Sequence, residues 1–195
     1  MEENHSFFAL MSRMKYIARW GLMRNAATEN VSEHSLDTAM LAHLLAVLHN
    51  TRYGGSVSPE RCALLAVYHD ATEILTGDLP TPVKYYNAEI KSAYALVEEN
   101  AREQLLSMLP ADIADAYRPL FAHAPEDEQA HIFVKAADKL SALVKCVEER
   151  AAGNTDFLRA EEATLRAVKA MQLPEVEDFL REFLPAYSKT LDEQA

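Results

Sequence analysis

The sequence predicts an all-α protein, a single-domain helical bundle, on three observations. Apolar residues recur three and four apart along nearly the whole chain, the spacing that puts them on one face of an α-helix. Alternating runs of β-branched residues, which would mark half-buried strands, are missing. Glycine and proline number only 5 and 8 in 195 residues, too few for a collagen-like chain or a turn-dense β architecture. At 49% apolar residues the chain can bury one sizeable core but is short for two, so residues 1–195 are read as one domain.

The first helix is expected from Ser6 to Arg19, with Phe7, Leu10, Met11, Met14 and Ile17 on one stripe, stopping at Trp20-Gly21. The second begins at Ser32, a good N-cap residue, and carries Leu36, Met40, Leu44 and Val47 as its apolar face before Gly54-Gly55 mark a turn. Ser58-Pro59-Glu60 opens the third by combining a capping hydroxyl, a proline at the first helical position and an acid in the first turn. Its end is expected near Gly77. Asp78-Leu79-Pro80-Thr81-Pro82 is expected to be a rigid, non-helical loop, because each proline pushes the preceding residue towards extended geometry. Helices follow over Ala88–Met108 and Ala111–Ala122. A long one after Pro125 carries Phe133, Ala137, Leu140, Val144 and Val147 and stops at Gly153-Asn154. Two more, over Asp156–Met171 and Pro174–Tyr187, close the chain.

The formal charge of −11 works against binding nucleic acid polymers or an anionic membrane, since both need a cationic surface. Any anionic ligand must therefore meet a local positive site. Cys62 and Cys146 lie within apolar helical patterns, which fits reduced core thiols and a cytoplasmic location. The acidic start Met1-Glu2-Glu3-Asn4 does not read as an export signal, and the longest apolar stretch, Ala39–Leu48, is about half a membrane span.

Three places break the amphipathic pattern in one chemical sense: His34, the pair His69-Asp70, and Asp138. Singly, each has an ordinary reading as a solvated or capping histidine, a chance dipeptide, or a surface ion pair with Lys135 or Lys139. Position sharpens the case. Asp70 and Glu73 are expected in the last turns of the third helix, where the dipole disfavours acids and something cationic should compensate. His34 is expected at the positive pole of the second, which favours a neutral, metal-ready imidazole. Two imidazoles and two carboxylates make a mixed nitrogen and oxygen set suited to a divalent first-row transition metal. His43, about two and a half turns beyond His34, faces away. Glu73, one turn past His69-Asp70, projects over the same face and suits a general acid or base.

The order His34, His69-Asp70, Asp138 in a helical chain resembles the HD-domain metal-dependent phosphohydrolase superfamily. More closely, Arg19-Trp20, the segment Asn30–Leu36, the run Tyr68–Tyr85 and Lys135-Ala136-Ala137-Asp138 resemble the bacterial 5′-deoxynucleotidase family, across almost the whole chain. The loop Gly77–Lys84 and the Arg19-Trp20 pair are the most specific parts of that likeness. The C-terminal segment carries no matching motif.

The resemblance implies an HD-domain bundle with one divalent metal ion, cobalt, manganese or similar, on His34, His69, Asp70 and Asp138. Glu73 would act as acid or base through water, and Arg19 would orient the 5′-phosphate of a deoxynucleoside monophosphate. Trp20 would pack against the sugar and help exclude a 2′-hydroxyl, while Asp78, Leu79, Pro80 and Thr81 would line the nucleoside pocket. The ligands His34, Asp70 and Asp138 would also touch substrate, and Lys84 is either a further positive charge near the pocket or a solvated lysine. A homodimer through helices of the second half is implied as well. The same ligands serve phosphodiesterases and nucleoside triphosphohydrolases elsewhere in the superfamily, and a non-catalytic nucleotide-binding module would keep the ligands while dispensing with Glu73.

Overall fold

The computed structural model describes residues 5–84 and 86–194; Tyr85, which ends the run quoted above, and Met1–Asn4 lie outside the described residues. The order is α1 (Phe7–Met11), α2 (Val31–Arg52), α3 (Pro59–Tyr68), α4 (Glu73–Thr76), α5 (Thr81–Lys84), α6 (Ala88–Leu106), α7 (Ala111–Phe121), α8 (Glu128–Ala151), α9 (Leu158–Lys169), α10 (Pro174–Glu182) and α11 (Leu191–Gln194). Short 3₁₀ turns link several of these. Among the described residues there is no β-strand, only an antiparallel bridge between Ala18 and Asn30. The all-α class read from periodicity is the observed one. Among the described residues, no helix is long and apolar enough to cross a membrane.

α2, α3 and α8 pack as the central layer, with α9 and α10 closing over it. The expected α8 stripe of Phe133, Ala137, Leu140, Val144 and Val147 is buried in that core. A smaller cluster around Phe7, Leu105, Leu106 and Leu109 joins α1 to the end of α6, with Tyr68, Tyr117 and Phe121 packed against it. Both cysteines are buried free thiols, and burial pushes them up to about 11 for Cys62 and about 12 for Cys146.

Several local expectations are corrected. The first helix does not reach Arg19: α1 tightens into a 3₁₀ turn over Ser12–Tyr16, and the chain then extends. The reason is competition for peptide groups, since Arg19 donates its backbone N–H to Glu29 (3.0 Å) and Ile17 accepts from Val31 (3.0 Å). The second helix starts at Val31, one residue before Ser32, because Asn30 rather than Ser32 is its N-cap and forms a reciprocal capping box with Glu33. Its apolar stripe is also misread, with Leu36, Met40 and Val47 exposed. Between α3 and α8 the helix instead buries Leu41, Leu45 and Leu48, each one position past an expected stripe residue, together with the small Ser35, Thr38, Ala39, Ala42 and Ala46 that let the neighbouring helices approach closely.

α3 starts as expected, with Ser58 Oγ accepting the Arg61 N–H at 3.0 Å. It ends at Tyr68 rather than near Gly77, and Gly77, at φ +74°, terminates the separate α4 instead. The loop 78–82 is helical at its end, where Thr81–Lys84 forms a single turn. Pro82 is tolerated there because the first turn has no carbonyl partner for its missing N–H.

Candidate active site

The break after α3 shapes the site. Over His69–Glu73 the backbone switches to bonds three residues apart, with Ala71 N–H on Tyr68 O at 3.1 Å and Glu73 N–H on Asp70 O at 3.0 Å. The Ala66 carbonyl is bonded by the His69 ring, whose Nδ1 lies 2.7 Å away. That bond places a proton on Nδ1, so Nε2 is the ring atom left to carry either a second proton or a metal ion. Nε2 is buried with no hydrogen-bond partner, although Asp70 Oδ2 is 3.1 Å away.

His34 reaches the same point from the first turn of α2. It is fully buried, its Nδ1 is 3.0 Å from Ser141 Oγ on α8, and its Nε2 lies 3.5 Å from Asp70 Oδ2 and 3.1 Å from Asp138 Oδ1. Ligand atoms of His34, His69 and Asp70 all lie within 4.8 Å of one another. Asp138, on α8, joins them through its approach to His34. Three helical segments far apart in sequence therefore meet at one centre. Two imidazole nitrogens and a shared carboxylate, with one buried nitrogen lacking a partner, form a donor set that fits a divalent cation.

The charges there call for a cation. Burial works against ionised Asp70, yet His69 above all, then His34 and Arg19, hold it well below the usual carboxylate range. Burial likewise opposes charge on His69, but Asp70 outweighs it and lifts the ring to about 9. Glu73 opens α4 and is buried, with Oε2 unpartnered. Burial first, then Asp70 and Asp78, push its carboxyl up to about 9.

Arg19 comes from the extended segment before α2, not from a helix end. Its side chain is 11% exposed, with one terminal nitrogen 3.3 Å from Asp70 Oδ2 and Nε 3.3 Å from Glu29 Oε2. Trp20 follows with φ +57°, a left-handed backbone unusual for a bulky residue. Its ring lies 5.3 Å from that of Phe157.

Beside the centre lies a cavity of about 720 Å³, ample for a nucleotide-sized ligand. Arg19 and Trp20 to Met23 form one wall, Asp78, Pro80, Thr81 and Pro82 another, and Asp138, Lys139 and Ala142 of α8 the floor. Of the expected lining residues, Leu79 is not part of the described wall, and Pro82 takes a place beside Pro80 and Thr81. Lys84 is paired with Glu98 at 2.7 Å instead of lining the cavity. His43, expected to face away from His34, is exposed and is not among the residues that meet at the centre.

Sequence reasoning missed the fourth wall, built by Ala160, Ala163, Thr164 and Ala167 of α9. The helical spacing of small residues was available as a signal, but alanine is so common in helices that it carries little weight alone. It also missed Glu29, which has no motif of its own.

The residues that converge here are those that carry the resemblance to HD-domain hydrolases, and comparison with known proteins agrees. A family model described as 5′-deoxynucleotidase YfbR-like matches residues 6–187. The chain is 50% identical over 187 residues to a 5′-deoxynucleotidase of Erwinia tasmaniensis, covering 96% of this chain and 94% of that one. It is 50% identical over 194 residues to the 5′-deoxynucleotidase YfbR of Shigella flexneri serotype 5b, covering 99% and 96%. Among solved structures, an HD-domain phosphohydrolase from Listeria innocua shares the fold at TM-score 0.79 and 24% identity, over 98% of this chain and 92% of that one. A cyanophage S-2L HD phosphohydrolase, described as bound to dA and one catalytic Zn2+ ion, aligns at TM-score 0.63 and 20% identity, over 93% and 96%. A helical bundle that gathers His34, His69, Asp70 and Asp138 beside a nucleotide-sized cavity thus has its full-length relatives in one place: the chain belongs to the YfbR-like 5′-deoxynucleotidase family.

Proposed function

We propose that this enzyme hydrolyses 2′-deoxyribonucleoside 5′-monophosphates to the deoxynucleoside and inorganic phosphate, using one divalent transition metal ion held by His34, His69, Asp70 and Asp138. The observation that carries the reading is the buried Nε2 of His69, without a hydrogen-bond partner and facing Asp70 and His34, in a centre that Asp138 and Arg19 connect to the cavity they line. The names of the 50% identical relatives point to this activity, and the cyanophage structure, with its dA and Zn2+, points to this class of ligand.

A bound divalent cation would supply Lewis acidity and a fixed positive charge for a phosphate. The side chains supply the rest. Arg19 is the planar donor set that orients phosphoryl oxygens in an otherwise acidic surround. Water adds to phosphorus, the bond from phosphorus to the 5′-oxygen breaks, and the leaving oxygen takes up a proton. Glu73, buried within reach of the same face, holds and moves that proton through water. Trp20 packs against the deoxyribose and leaves no room for a 2′-hydroxyl, while Asp78, Pro80 and Thr81 contact the nucleoside. His34, Asp70 and Asp138 flank the phosphate.

The reading takes residues 1–195 as one domain acting in the cytoplasm as a homodimer. The dimer would form through helices of the second half of the chain, and sedimentation at micromolar concentration tests it. The decisive assay strips the protein of metal, reloads it with cobalt, manganese or zinc, and measures phosphate release from paired deoxy and ribo mono-, di- and triphosphates, with cyclic nucleotides included. Release from deoxy monophosphates alone is the expected result. Turnover confined to triphosphates or cyclic nucleotides, or binding without release under every metal, would refute it.

A further inference from the structure

Glu29 lies outside every motif in the sequence, yet its carboxylate touches both residues that the proposed function assigns to phosphate and sugar. Its Oε2 accepts the Trp20 indole N–H at 2.8 Å and the Arg19 Nε–H at 3.3 Å. The side chain is 11% exposed, so these bonds are largely shielded from competing water.

The backbone reinforces the connection. Arg19 N–H donates to the Glu29 carbonyl at 3.0 Å, and Ala18 and Asn30 form the bridge that ties the two segments together. Asn30 in turn caps α2, the helix that carries His34. Trp20 itself sits at φ +57°, a conformation that persists in a bulky residue only where the surroundings over-determine it. Phe157 packs against the ring. Among the described residues, Glu29 is the group that fixes the indole by its polar edge. By occupying Nε of Arg19, it also directs the terminal nitrogens towards Asp70 and the cavity.

We propose that Glu29 is a positioning residue that sets the sugar discrimination of this site, its single carboxylate oxygen locking the Trp20 indole and the Arg19 guanidinium into one arrangement. The proposal rests on the reading of the site given above. It adds that rejection of a 2′-hydroxyl requires Trp20 to be held, not merely present, because an indole free to swing would make room for the extra oxygen.

The test uses the full-length, metal-loaded enzyme with deoxyadenosine and adenosine 5′-monophosphates. In Glu29→Ala the deoxy-to-ribo ratio of kcat/KM should fall by roughly tenfold, the scale of one lost hydrogen bond to a charged group. Glu29→Gln keeps an acceptor oxygen for the indole and should retain most of the ratio. In a Trp20→Phe background, which lacks the indole donor, Glu29→Ala should change the ratio little further. Trp20 is the sole tryptophan, so its fluorescence reports the lock without any turnover, and Glu29→Ala should shift its emission to the red. An equal loss of rate on both nucleotides with the ratio preserved would mark a merely structural role and overturn the proposal. Unchanged emission in Glu29→Ala would overturn it as well. If the wild type releases phosphate from neither nucleotide, the reading of the site fails, and the emission measurement still decides whether Glu29 fixes Trp20.

Discussion

Replacing Glu149 tests how the wall carrying Trp20 to Met23 is held. This α8 residue is 2% exposed, and its carboxylate accepts the backbone N–H groups of Ala26 (2.8 Å) and Ala27 (3.1 Å) and the Asn154 amide (2.7 Å). It also pairs with Lys145, which in addition donates to the Ala27 carbonyl. Burial raises the cost of the charge, but Lys145, Ala26, Asn154 and Ala27 outweigh it and hold Glu149 at about 2, against an ordinary value of 4.5. At about 1.4 kcal/mol per unit, the ionised form contributes about 3 kcal/mol to folding at neutral pH. Removing one member of a buried ion pair costs about 3–5 kcal/mol by general experience, so the two routes agree. Glu149→Ala should therefore lower the urea midpoint by about 1.5 M at a slope of about 2 kcal/mol/M, with the slope itself unchanged.

The pH dependence has a definite sign. Because the folded value lies below the unfolded one, the contribution is fully present above about 4.5 and is lost as pH falls towards about 2. Wild type and variant should thus converge in stability across that acid window. A loss below about 1 kcal/mol at neutral pH, or a gap that persists undiminished at the acid end, would refute the reasoning.

Two further outcomes follow from the geometry. At Gly55, an added Cβ would lie 2.0 Å from the His49 ring, which is pinned to buried Glu175 at 2.6 Å, so Gly55→Ala should cost about 1–3 kcal/mol. Gly21→Ala, with nothing within 4 Å of the new carbon, is the control, and a thermal melt in which both variants match the wild type would contradict the packing argument. Glu73→Gln should reduce phosphate release by about 10²–10⁴-fold while metal content, read by elemental analysis, stays at the wild-type level. Loss of metal together with activity would instead make Glu73 a ligand or a support for one.

Much of this molecule is legible from local chemistry. Ser58-Pro59-Glu60 opens α3 because a cap, a pre-set φ and a dipole-matched acid act within four residues, and Phe133 to Val147 face the core because helical periodicity selects one side of α8. The candidate ligands were visible as polar breaks in apolar helices. Where local signals competed with distant partners, they misled. Arg19 leaves its expected helix because Glu29 takes its backbone N–H, and α2 buries Leu41, Leu45 and Leu48 in place of Leu36, Met40 and Val47 because packing against α3 and α8 sets which side of the helix faces inward. The α9 wall has only the helical spacing of its small residues as a local signature, which is too common to single it out.

The sequence by itself determined the helical class, most helix starts and the identities of the candidate ligands, since caps, periodicity and residue type act over a turn or two. Only tertiary structure decided that His34, His69 and Asp70 share a centre with Asp138 alongside, that α3 breaks to present them, and that Glu29 holds Trp20 and Arg19. Those relations depend on how α2, α3 and α8 bury one another, a balance of packing and desolvation summed over segments that periodicity treats one at a time.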